Sequence, residues 1–306
     1  MVDILNIENE INFLGGEVLL DINYWEPESL MDAVSILANR GDQVRALAGG
    51  TDLLVKMKKG PINWKGIVNL KGLTELKGFI FEGNTITIGA LTQISALIEN
   101  PLLNLHFPVL IDAARSLGTP QVRNLATIGG NLCNASPAAD VALVLLMYEA
   151  RLLIAGANRS RKVPVREFYV GPGQTVLQQG EILTAIEIDL PPLNSKGMFY
   201  KLGKRKSHEI ALVNVAVLLT TNPGTMQIAK ARIAVGSVAS TQLRIKDAED
   251  SLIDSVATLS AFIQAAELAK TAVNPIDDVR STASYRKHMV GVLTKRALVE
   301  AWGGEL

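Results

Sequence analysis

Apolar and polar positions divide this chain into three stretches. In the first, Ser29 stands as an N-cap with Asp32 three residues on, and Leu30, Ala33, Val34 and Leu37 share one helical face. Val44–Ala48 then reads as a buried strand, and Ile67–Leu70 as another. From Phe79 the pattern changes. Thr85-Ile-Thr-Ile-Gly alternates with period two, Gln93–Glu99 and Pro108–Leu117 read as helices, Ala139–Ala150 as a third, and Arg151–Ala155 and Glu181–Leu190 as strands. Pro108 suits a first helical turn and Gly118 a helix stop. Pro191-Pro192 and Asn194-Ser195-Lys196-Gly197 read as a linker. Beyond it, Met198–Leu202, Ala211–Thr221 and Ile228–Val235 are strand-like, the last two joined by an Asn222-Pro223-Gly224 turn. Asp247–Ile253, Leu259–Val273 and Tyr285–Trp302 are helical. Strands followed by helices predict an α+β domain with helices on one sheet face. Glu17–Asn23 offers a further strand, but residues 1–23 are read as a docking arm or extension.

Two glycine pairs interrupt this pattern. The first is Ala48-Gly49-Gly50-Thr51-Asp52-Leu53, directly after Leu47 and the first strand. The second is Thr127-Ile128-Gly129-Gly130-Asn131, continuing through Cys133, Asn134 and Pro137 to Asp140. Glycine lets bare backbone N–H groups approach an anion, and two such loops can grip one diphosphate from two sides. Neither reads G-x-G-x-x-G, so the Rossmann fingerprint is absent. Thr51 and Thr127 add hydroxyls, and Asn131 adds a donor and an acceptor. Like-charge repulsion predicts that the Asp52 side chain points away from a diphosphate. Asp140 can also be read as the N-cap of the helix that follows.

Composition changes the picture mainly by exclusion. The 306 residues carry 30 Lys+Arg and 30 Asp+Glu, so no basic surface calls for nucleic acid. Zero net charge with 48% hydrophobic residues fits a subunit that buries surface against partners. The length suggests two or three domains. A single cysteine, Cys133, rules out an internal disulfide or an all-cysteine cluster, and is read as a small buried residue rather than a catalytic thiol. His106, His208 and His288 have no ligand spacing, which predicts no metal site. No basic n-region precedes an apolar stretch, and no apolar run spans a membrane, so a cytoplasmic protein is expected.

AGGTDLL, then IGALT at Ile88–Thr92, then QVRNLATIGGNLCNASPAAD at Gln121–Asp140, resemble the FAD-binding medium subunit of the molybdenum hydroxylases, the family of carbon monoxide dehydrogenase and xanthine dehydrogenase flavoproteins. The resemblance runs from about Tyr24 to the C-terminus. It implies an α+β fold: a two-part FAD-binding domain of the vanillyl-alcohol-oxidase (PCMH) type over 24–190, split near 72–73, then a C-terminal α+β domain of three antiparallel strands and helices over 196–306. It implies non-covalent FAD at Leu47, Ala48, Gly49, Gly50, Thr51, Asp52, Leu53, Thr127, Gly129, Gly130, Asn131, Asn134, Asp140, Leu183 and Lys201. A lysine near the ring would favour the anionic reduced flavin. Arg205 and Glu209 would border the entrance for an electron acceptor. The molybdenum cofactor and [2Fe-2S] clusters would sit on a large and a small partner subunit, in a dimer of heterotrimers. Electrons would pass from the clusters through FAD to NAD, a quinone or dioxygen. A free-standing flavin oxidoreductase of the same fold, or a scaffold without flavin, would be the alternatives.

Overall fold

The computed structural model describes residues 13–15, 18–20, 22–157, 159–205, 209–225 and 227–304. Lys206 and His208 lie outside them. Near the N-terminus Phe13–Gly15 pairs with Val18–Leu20 as a short hairpin, so part of the segment read as an arm is strand.

The first unit is a parallel sheet of Asn23–Trp25, Gly66–Asn69 and Val44–Leu47, with Gly66–Asn69 central. The Leu30–Arg40 helix begins as expected: the Ser29 hydroxyl accepts from the Asp32 N–H at 3.2 Å, and Ala33 and Val34 are buried against the sheet. A helix that periodicity did not reveal, Leu53–Lys59, follows the first glycine loop. Its three lysines mask the one inward residue, Met57.

The second unit is an antiparallel sheet in the order Phe79–Glu82, Thr85–Gly89, Ile182–Asp189, Arg151–Ala155, Ser160–Pro164. Ile86 and Ile88 point into the core while Thr85 and Thr87 stay half-exposed, which is the period-two signal realised. Arg151 crosses the strands to Asp189 at 2.6 Å and Glu187 at 3.2 Å. The Asp140–Met147 helix is buried on every side. It lies between this unit and the C-terminal sheet, which explains its unbroken apolar run.

The C-terminal unit is an antiparallel sheet in the order Ser195–Leu202, Val213–Thr221, Ile228–Gly236, Leu243–Arg244. It therefore has a fourth, two-residue strand beyond the three expected. Helices Leu259–Ala272 and Ala283–Trp302 cover one face. Val213, Val215, Val217 and Leu219 face those helices, whereas Ala216 and Leu218 join the core of the second unit. Burial on both faces accounts for a strand without polar alternation. The linker is shorter than its composition suggests, because Ser195, Lys196 and Gly197 already pair with Thr220, Leu219 and Leu218. The Asn222–Gly224 turn forms as expected, with Gly224 at φ 73°. Among the described residues no helix is long and apolar enough to cross a membrane.

Candidate functional site

The first glycine loop leaves the C-terminal end of the Val44–Leu47 strand. Gly50 takes φ +84°, a conformation that few other residues adopt readily. Leu54 N–H reaches Gly50 O at 3.1 Å, but the N–H groups of Gly49, Gly50, Thr51 and Asp52 find no acceptor among the described residues. Four successive free N–H groups form a cradle for an anion. The Asp52 side chain is exposed and makes no capping bond. Gly49 is required for a second reason. A Cβ there would collide with the carbonyl oxygen of Leu125 and come within 2.9 Å of Ala126 Cα. The two units touch backbone to backbone at this point. Lys56 adds a tie, donating to Asn134 Oδ1 at 2.8 Å.

The second glycine segment is a helix, Ile128–Cys133, rather than the open loop its glycines suggest. Thr127 is its N-cap and accepts from Gly130 N–H at 3.0 Å. Ile128 N–H bonds Thr92 O at 3.0 Å and Gly129 N–H bonds Ala90 O at 2.8 Å. These N–H groups are therefore consumed inside the protein. The glycines serve close packing instead: a Cβ on Gly129 would lie 2.6 Å from Ala90 atoms, and one on Gly130 would lie 2.9 Å from Thr127 Oγ1. What this segment leaves unsatisfied is a side chain, because Asn131 Oδ1 is buried without a partner.

Asp140 is the first residue of its helix, and Ala139 is the N-cap. The capping role expected of Asp140 is therefore not the one it plays. Its carboxylate, 4% exposed, is held from three elements. Lys201 Nζ lies 2.5 Å from Oδ2, Ser116 Oγ donates to Oδ2 at 3.2 Å, and Asn214 Nδ2 donates to Oδ1 at 2.8 Å. Burial pushes the Asp140 carboxyl above its ordinary range, opposed by Lys201 and the two hydrogen bonds. Lys201 also donates to Ser116 O at 3.1 Å. It is neither a surface lysine nor a lone cation beside the site, but half of a largely buried ion pair.

All of the residues that the resemblance assigns to FAD, except Leu47, line one cleft of about 800 Å³ between the units, within the range of ligand pockets. Leu47 lies behind it, in the core. Leu183 is buried beside a register shift in its strand. The cleft also draws on residues the sequence did not single out. Leu117, Gly118 and Thr119 sit in a Ser-Leu-Gly-Thr-Pro turn whose signal was read only as a helix stop. Arg45, Lys56, Trp64 and Ile210 carry no motif at all, and Ser136 stands within the Gln121–Asp140 run but was given no role of its own. Glu209 lines the cleft too, and Arg205 pairs with it at 2.9 Å.

Cys133 shares the cleft wall. Desolvation pushes its thiol up to about 12. Since the thiolate is the reacting form, native Cys133 should be almost inert to a disulfide reagent at pH 8, with labelling rising only as pH approaches the thiol's own range. Stopped-flow labelling of native against unfolded chain checks this. Equal rates would show an accessible, ordinary thiol.

Comparison with known proteins places these features in a family. Residues 20–191 match the family described as the FAD binding domain in molybdopterin dehydrogenase, and residues 198–301 match the CO dehydrogenase flavoprotein C-terminal domain. The carbon monoxide dehydrogenase medium chain of Hydrogenophaga pseudoflava is 34% identical, over 91% of this chain and 96% of that one. A putative xanthine dehydrogenase FAD-binding subunit of Escherichia coli is 32% identical, over 91% and 95%. The crystal structure of a Cu,Mo-CO dehydrogenase in its cyanide-inactivated form includes a chain that superposes with a TM-score of 0.88 at 33% identity, covering 93% of this chain and 98% of that one.

Proposed function

The chain belongs to the family of FAD-binding subunits of molybdopterin dehydrogenases, and from that premise we propose that it is the electron-transfer subunit of a molybdenum-containing hydroxylase or dehydrogenase complex. It is an oxidoreductase subunit, and the cleft between its units is the place for one non-covalent FAD. The observation that carries this reading is the convergence on one cleft of both glycine segments, the free N–H groups of Gly49–Asp52 and the Asp140–Lys201 pair.

The donor set fits the cofactor. The cradle of N–H groups at Gly49, Gly50, Thr51 and Asp52 suits the diphosphate. The unpartnered Asn131 Oδ1 offers a buried acceptor for a cofactor N–H or hydroxyl. Leu183, Leu117 and Ile210 supply apolar wall, and Thr127, Asn134 and Lys201 polar edges. Bound there, FAD would supply a redox centre that takes electrons from iron–sulfur clusters on a partner and yields them to NAD, a quinone or dioxygen. The protein's own part is to grip the diphosphate, fix the ring and control access.

With one cysteine this chain cannot hold the clusters by thiolates alone. A small iron–sulfur subunit and a large molybdenum-cofactor subunit are the proposed partners, assembled as a dimer of heterotrimers in the cytoplasm. The two parts of the FAD-binding domain at 24–190, divided near 72–73, would hold the cofactor between them, and the C-terminal domain at 196–306 would contribute Lys201.

Purification from native extract tests the reading. The expected result is one FAD per chain and co-elution with two partner subunits through size exclusion in about 1 M salt, where the Debye length is about 3 Å. The separated chain should pass electrons from an artificial donor to an acceptor but hydroxylate nothing. A flavin-loaded chain that elutes alone and turns over its own substrate would instead identify a free-standing flavoenzyme.

A further inference from the structure

Asn214 is the most buried polar residue near the cleft, 0% exposed, and its strand neighbours on the same face, Ala216 and Leu218, are apolar. Its amide donates to Asp140 Oδ1 at 2.8 Å, while its own Oδ1 has no partner. The orientation is chemically forced, since only the NH₂ end can face a carboxylate. A buried carbonyl left without a donor is destabilising. Packing alone would be served better by leucine. The strand next to it is shaped around this side chain, because a Cβ on Gly236 would collide with Asn214 Oδ1. The C-terminal sheet thus carries a polar group that lowers its own stability and makes one contact of consequence, the carboxylate paired with Lys201.

We propose that Asn214 is a positioning residue for the cofactor: it fixes the Asp140 carboxylate so that the Lys201 ammonium is held, with its charge answered, at the cleft wall. The proposal rests on the reading that the cleft holds FAD. Two of the three Lys201 N–H groups are used, on Asp140 Oδ2 and Ser116 O. The third remains for the cofactor. If Asn214 withdraws, the carboxylate loses a donor and more readily takes up a proton, which leaves the ammonium less compensated. A less compensated cation favours the reduced, anionic flavin over the oxidised one. Asn214 would thereby set the relative affinity for the two redox states without touching the cofactor.

The test titrates the full chain with oxidised and with reduced FAD. Two variants reach the contact from opposite sides. Asn214→Leu removes the amide, and Gly236→Ala displaces it while keeping the asparagine itself. Each should shift the ratio of the two dissociation constants about tenfold toward the reduced form, equivalent to about 30 mV for a two-electron couple. In a Lys201→Met background neither should shift it, because the effect runs through the lysine. Circular dichroism and urea unfolding establish that each variant is folded. Should Asn214→Leu fail to fold, Gly236→Ala carries the test alone. A wild-type ratio in a folded variant overturns the proposal, and so does a shift that persists without Lys201. Either result leaves the FAD reading intact. A wild-type chain that takes up no FAD overturns that reading and this proposal with it.

Discussion

Replacing Gly49 by alanine should abolish FAD binding, raising the dissociation constant by more than about 100-fold, or about 2.7 kcal/mol. The added Cβ meets the backbone of Leu125 and Ala126 rather than a flexible side chain. No rotamer change relieves it, so the first loop must retreat from the second unit. Retreat widens the cleft and moves the four free N–H groups of Gly49–Asp52 away from the Asn131 side of the site. Overpacking at such a contact costs about 1–3 kcal/mol of stability as well. Gly72→Ala is the matching control: a Cβ there meets nothing within 4 Å and the backbone is not left-handed. FAD titration followed by flavin fluorescence, with urea unfolding on the same samples, separates the two effects. Wild-type affinity in Gly49→Ala would show that the loop contact does not shape the site.

Lys201→Met should be the most destabilising single change in the cleft. It leaves Asp140, 4% exposed, without its counter-ion. Breaking a buried pair from one side costs about 3–5 kcal/mol. The loss should depend on pH. Burial already raises the Asp140 carboxyl, and Lys201 is the first of the groups that oppose the rise. Without it the folded-state pKa climbs further above the unfolded one. Between those two values the folded state holds more protons than the unfolded state, so stability falls as pH rises through that interval. The variant should therefore be more stable at pH 5 than at pH 8, with a steeper slope than wild type. Adding Asp140→Asn should recover much of the loss at pH 8, because the orphaned charge is then removed. Urea midpoints for the two single variants and the double variant at both pH values test this. Additive losses with no added pH slope would mean that the pair carries little of the coupling assigned to it.

Local signals carried much of the fold. Thr85–Gly89 alternates because one face of its strand is core and the other is not. Ser29 caps its helix with a hydroxyl that competes for few other partners. Asn222-Pro223-Gly224 can do little but turn. Elements were missed where local chemistry pointed elsewhere. Ser160–Pro164 is a charged edge strand with little apolar content, and the Leu53–Lys59 helix hides one buried methionine among lysines. The second glycine pair has poor helix propensity, yet Thr127 caps it and Ala90 O and Thr92 O receive its first N–H groups. Those acceptors come from a segment more than thirty residues earlier, about which the glycine motif says nothing.

The sequence by itself marked the two glycine segments that meet in the cleft, because a turn that brings backbone close to an anion demands glycine and hydroxyl residues at fixed positions, whereas Leu183 and Lys201 entered only through the family resemblance. Only the tertiary structure decided what each of them does. Whether a glycine N–H is free, as at Gly49–Asp52, or spent, as at Gly129, depends on where a distant carbonyl lies. Whether Lys201 is a bare cation or half of a pair depends on Asp140, 61 positions away, and on Asn214, 74 positions from that aspartate. Charge compensation and steric exclusion act across a few ångströms of space, and a linear pattern records neither until the chain has folded.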